Sequence, residues 1–116
     1  MTTWESCATV DECPPGVGIE RVIAGRIVAI FNVAGKFYAL DGICPHQGGP
    51  LGQGQLQGPT VTCPWHGWQF DVTTGDSETI SQVCQRCLPI KVEDGKLLVG
   101  LVSSQAEKPG KRPKDL

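Results

Sequence analysis

Fifteen glycines and nine prolines are spread through 116 residues, and turn formers at that density leave little room for long helices. From residue 17 onward, short β-type runs alternate with turn signals, and no window keeps apolar residues at helical spacing for three turns. Segments 17–24, 27–33 and 36–41, separated by Gly25-Arg26 and Ala34-Gly35, predict a three-stranded meander. Both faces of 27–33 are apolar, with Ile27, Ala29, Phe31 and Val33 on one and Val28 and Ile30 on the other. That pattern suits a central strand covered on both sides. Near the other end, Leu88, Ile90 and Val92 alternate with Lys91 and Glu93, and Asp94-Gly95 predicts a hairpin returning over 96–101 with one wet face. The length fits one domain over 1–102. The tail, 103–116, is basic and almost without apolar residues, and is expected to be disordered.

Between the two β sections lies 42–76, rich in Gly and Pro and holding both histidines and two of the three tryptophans. It reads as a functional insertion on a β scaffold. Within it stand Cys44-Pro45-His46 and Cys63-Pro64-Trp65-His66, separated by the sixteen residues 47–62. Two thiolates and two imidazoles satisfy a tetrahedral zinc, although zinc fingers usually group a Cys pair and then a His pair. Here each loop brings one Cys and one His. That order also fits a binuclear iron–sulfur centre to which each loop gives one ligand per iron.

The stretches Cys44-Pro-His46-Gln-Gly-Gly-Pro-Leu51 and Cys63-Pro-Trp-His66-Gly-Trp-Gln-Phe70-Asp71 resemble the Rieske family. The resemblance is closest to the single-domain ferredoxins that feed aromatic-ring dioxygenases, and extends over about residues 4–101. It implies an all-β fold, an antiparallel sandwich or barrel with an inserted two-loop cluster-binding subdomain. It also implies one Rieske [2Fe–2S] cluster, with Cys44 and Cys63 on the inner iron and His46 and His66 on the outer, near-surface iron. Two ferric ions, two sulfides and two thiolates are neutral overall, whereas four thiolates leave a doubly negative core that resists reduction. His ligation accordingly raises the potential to roughly −150 to +300 mV. High-potential members carry two further Cys, where this chain has Gly49 and Trp65, and two hydroxyls, where it has Trp68 and Phe70. Those departures imply a low-potential protein.

Around the ligands, Pro45, Pro50 and Pro64 stiffen the loops, and Gly48 and Gly67 let backbone N–H groups approach the sulfides. Gly49 reads equally well as a turn residue. Trp65, beside His66, is a candidate docking side chain, whereas Trp68 reads better as packing. Cys7, Cys13, Cys84 and Cys87 could compose a Cys₄ zinc site, but the spacing favours spare or buried thiols.

The body, 1–101, carries six Lys/Arg against ten Asp/Glu, which speaks against nucleic acid and for basic protein partners. No stretch is long and apolar enough to span a bilayer, and the first residues lack a signal-peptide pattern, so a cytoplasmic location is expected. Both His are taken by the cluster, leaving none for an oxygen-activating iron triad or a nucleophile's base. The chain has no Gly-rich dinucleotide fingerprint, so it needs a partner to take hydride from NAD(P)H. An electron carrier between a flavin-containing NAD(P)H reductase and a terminal oxygenase fits best. The alternatives are the small subunit of an NAD(P)H nitrite reductase, working on its large subunit, and a structural zinc-binding interaction domain.

Overall fold

The computed structural model describes residues 2–43, 49–65, 67–78 and 85–102. Ten strands, β1 (Thr2–Thr9), β2 (Gly18–Ile23), β3 (Arg26–Val33), β4 (Lys36–Asp41), β5 (Gln55–Gln57), β6 (Thr60–Thr62), β7 (Gln69–Asp71), β8 (Cys87–Leu88), β9 (Ile90–Glu93) and β10 (Lys96–Val102), run in chain order with no α-helix among the described residues. They form three sheets, ordered β1-β10-β9, β2-β3-β4-β8 and β5-β6-β7, and every named pairing is antiparallel. The all-β antiparallel expectation holds. Among the described residues no helix is long and apolar enough to cross a membrane.

The meander forms as β2-β3-β4, and three hairpins close through two-residue turns. Ala24-Gly25, Ala34-Gly35 and Asp94-Gly95 all have positive φ at both positions, the signature of type I′ turns, whose twist matches that of the paired strands. The first turn therefore sits one residue earlier than Gly25-Arg26, and Arg26 opens β3. The run through Leu88, Ile90 and Val92 is not one strand. Leu88 pairs with Ala39 in the meander sheet, while Ile90 pairs with Val99 in the other. Pro89, without an N–H to donate, marks the crossing, and its carbonyl accepts the Gly100 N–H at 2.8 Å. The hairpin's wet face carries Lys91, whose Nζ lies 4.4 Å from the centre of the Trp4 ring. β1 is an addition to the sequence reading. Its mixed residues do not alternate, and its pairing with β10 slips between Ser6 and Ala8.

β3 organises the interior because it is buried on both faces. Val28 and Ile30 join Ala39, Leu88, Leu97 and Val99 in one apolar cluster, between the two larger sheets. Ala29 and Phe31 join Leu40, Leu51, Val61, Cys63, Phe70 and Val72 in a second, beneath β5-β6-β7. The insertion thus contains a small sheet clamped to the back of the central strand.

Asn32, 3% exposed, stands near the end of this strand with its carboxamide engaged on both sides. Its Nδ2 donates to Cys13 O at 2.8 Å and its Oδ1 accepts the Gly35 N–H at 2.8 Å, tying a tight turn to the 13–17 loop. Asn32→Leu strands both partners, which should cost about 2 kcal/mol. The expected outcome is a lower urea midpoint at unchanged m-value. An unfolding midpoint equal to the parent's would show that these bonds contribute nothing.

Candidate metal centre

The second motif occupies the loop of the β6–β7 hairpin. Thr62 pairs with Gln69, and just beyond that pair the Cys63 N–H donates to Trp68 O at 2.8 Å and the Gly67 N–H donates to Cys63 O at 3.1 Å. Residues 63–68 are thereby closed into a tight loop. Gly67 takes φ +76°, which is its reason for being glycine, since a Cβ there would meet open space. Cys63, 2% exposed, belongs to the second core cluster, so its side chain lies away from bulk water at the base of the loop.

The first motif leaves the end of β4. Gly42 donates to Ile27 O at 2.9 Å and accepts the Leu51 N–H at 3.0 Å, and Ile43 bridges Pro50. This stretch is pinched at its base, with both ends anchored on β3 and the turn at Leu51–Gln53. Cys44, His46, Gly48 and His66 lie outside the described residues. What is described of the first loop meets the second at one point. A Cβ on Gly49 would stand 2.7 Å from Cys63 Sγ and 3.0 and 3.2 Å from Trp65 Cγ and Cβ. No side chain fits there, so Gly49 is glycine because the two loops close on a cysteine sulfur. The turn-residue reading of Gly49 misses this contact. A buried thiol with a backbone pressed against it, set between two Cys/His loops, suits a sulfur-rich centre that tolerates close backbone approach.

Around this point Pro64 is exposed and the Trp65 indole is 56% exposed. Trp68 is half-buried against the second core cluster, its ring 6.4 Å from the fully buried Phe70 ring. Trp65 thus faces solvent while Trp68 packs. The three short strands β5, β6 and β7 were not foreseen, although each carries the signal of one apolar residue between polar ones, Leu56, Val61 and Phe70.

Two of the remaining cysteines belong to the first core cluster and not to the one that holds Cys63. Cys13 is fully buried in the first core cluster, with Cys7 packed against it. Burial pushes both thiols up, and the nearby Arg21 guanidinium partly offsets it. Cys87 is exposed on β8, and Cys84 lies outside the described residues. Among the described residues no three His, Cys, Asp or Glu side chains are grouped to hold a metal ion.

A sandwich that carries a small clamped sheet and a buried cysteine at the base of its loop suits an iron–sulfur electron-transfer domain. The chain belongs to the Rieske [2Fe-2S] domain family, whose model matches residues 3–94, and its cofactor is one Rieske-type [2Fe–2S] cluster. It is similar to the ferredoxin component of the alkene monooxygenase system of Xanthobacter autotrophicus, 43% identical over 74 residues that make up 63% of this chain and 61% of that one. It is also similar to a solved complex of reduced oxygenase and oxidised ferredoxin in carbazole 1,9a-dioxygenase. There the identity is 26%, the TM-score 0.76, and the match covers 83% of this chain and 91% of that one. The same fold occurs in a small subunit described as that of an NADH-dependent nitrite reductase from Mycobacterium tuberculosis. The TM-score is 0.80 at 22% identity, over 89% of this chain and 98% of that one. The relatives that are ferredoxin components are electron carriers rather than catalysts.

Gly49→Ala should force Cys63 Sγ or the first loop to move, because a contact of 2.7 Å is far inside van der Waals range. The expected outcome is less iron and acid-labile sulfide per chain and a lower melting temperature. Full cluster content at the parent's melting temperature would show that the loops do not close on this glycine.

Proposed function

We propose that Cys44, Cys63, His46 and His66 hold the cluster, and that the chain carries single electrons from a flavin-containing NAD(P)H reductase to a terminal oxygenase of the aromatic-ring-hydroxylating kind. The observation that carries this reading is the closure of Gly49, of the first loop, onto the Cys63 sulfur of the second. When bound, the cluster supplies a one-electron couple. Cys63 would anchor its inner iron in the apolar interior, where 2% exposure keeps bulk water away. His46 and His66 would hold the other iron, and the exposed Trp65 precedes His66 in sequence. Gly67 and Pro64 would fix the second loop, and Gly48 the first. Trp68 and Phe70 bring no hydroxyl to the cluster, which supports a low potential within the family's range. The ferredoxin in complex with a reduced oxygenase supports an oxygenase as acceptor.

Carboxylates stand in the stretches of sequence that flank the two motifs. Asp41 ends β4 and Asp71 ends β7, and Asp76 and Glu78 follow, both exposed. A partner offering Lys and Arg around its own redox centre would be steered by these carboxylates.

The purified protein should hold two irons and two acid-labile sulfides per chain, and Ala at Cys44, His46, Cys63 or His66 should abolish assembly. A variant that keeps a normal cluster would remove its residue from the ligand set, and one stoichiometric zinc without visible absorption would sink the reading altogether. With a matching reductase and oxygenase, sub-stoichiometric protein should support turnover, at a rate that falls about several-fold as salt rises from 20 to 200 mM by the shortening of the Debye length. A salt-independent rate would argue against steering by these carboxylates. Stable co-purification with a large reductase subunit would instead favour the nitrite-reductase alternative.

A further inference from the structure

Gln85 is a buried polar residue, 7% exposed, in a segment that the sequence marks only by its flanking cysteines. Its Nε2 donates to Asp41 O at 2.8 Å and to Ile43 O at 2.5 Å, and its Oε1 accepts the Arg86 N–H at 3.1 Å. A carboxamide has two N–H donors and one carbonyl oxygen, and all three groups are engaged. The main chain adds two further ties. The Gln85 N–H donates to Gly75 O, and the Asp41 N–H donates to Arg86 O at 2.9 Å. Gly75, at φ +85°, admits no side chain, because a Cβ there would run into the Gln85 carbonyl.

These contacts join two segments that β-pairing does not connect. Asp41–Ile43 is the stem from which the first loop departs towards Cys44, and Gly75 lies in the turn leaving the hairpin that carries Cys63. Ile43 has no ladder partner beyond the single bridge to Pro50, so Gln85 supplies the part-buried tie that holds its carbonyl and that of Asp41 together. An apolar residue of the same length would fill the space but could not hold the stem.

We propose that Gln85 is a positioning residue for the cluster, fixing the stem of the first ligand loop against the hairpin that carries Cys63 and thereby setting ligand geometry and cluster retention. The inference rests on Cys44 and Cys63 being ligands, and it deepens that reading.

Gln85→Met keeps length and volume while removing both donors. The test compares it with Asn32→Leu, which removes a buried carboxamide of the same kind on the far side of β3. Two quantities are read on folded holoprotein at matched far-UV circular dichroism: the g-values of the reduced cluster and the rate of iron release to a chelator. Gln85→Met should shift the g-values and speed release by about ten-fold or more, the usual scale for groups that support metal ligands, while Asn32→Leu leaves both as in the parent. Parent-like values in Gln85→Met would overturn the proposal, and so would the same changes in Asn32→Leu, since the effect would then be general loss of stability. Should Gln85→Met not retain a cluster, Gln85→Asn, one methylene too short to reach both carbonyls, is judged by the same two measurements. A cluster retained in Cys44→Ala would overturn the ligand set instead, whatever Gln85 does.

Discussion

The structure depends on one strand being buried on both sides. β3 presents Val28 and Ile30 to the core between the two larger sheets, and Ala29 and Phe31 to the core beneath the small one. Three strands of three residues cannot hold a sheet in water by themselves. β5-β6-β7 is stable because Leu56, Val61 and Phe70 pack toward Phe31 and Leu40. Phe31 and Phe70 are both fully buried, each contributing roughly 1.5–3 kcal/mol relative to exposure. The first core and the small sheet therefore pack on opposite faces of one strand, and a change on either face of β3 is felt by the other.

That sharing determines where the sulfur can sit. Cys63 lies in the same cluster as Phe70 and Leu51, and the loop that bears it returns within six residues through the Cys63–Trp68 hydrogen bond. In the proposed two-Cys, two-His ligand set, Cys63 would give its sulfur to a core that is neutral when oxidised and therefore suited to an apolar setting. The close approach at Gly49 follows from the same economy of space. Loops that would surround a compact inorganic core leave no room for a side chain here, where the backbone of Gly49 is brought against the sulfur.

Much of this was legible in the sequence, for definable reasons. The doubly apolar run on β3 and the Ala-Gly and Asp-Gly turns are local signals, and the structure realises them nearly in place. The Cys/His order pointed to the chemistry without any knowledge of the fold. What was not legible depends on contacts distant in sequence. Nothing local tells that Pro89 passes the chain from one sheet to another, that β1 completes the β10 edge, or that Gly49 faces Cys63 rather than simply turning. Gln85 was hidden for the same reason. A glutamine between two cysteines draws no notice until its amide is seen 42 and 44 residues away from the carbonyls it holds.

The surface bears on whether such a domain works as a free carrier or as a fixed subunit. An obligate interface buries roughly 2,000 Å² or more and resembles a core cut in half. Among the described residues the large apolar side chains that are well exposed are Trp4, Val22, Ile43, Trp65 and Val92, drawn from different strands and loops. Trp4 already lies under Lys91. Ile43 and Trp65, which stand next to the motif residues in sequence, are single exposed apolar side chains, and Asp41, Asp76 and Glu78 belong to the flanking stretches. A small apolar contact with a charged surround gives fast, salt-sensitive encounter and fast release. A shuttle that must meet a reductase and an oxygenase in turn needs those rates, and a permanently docked subunit does not.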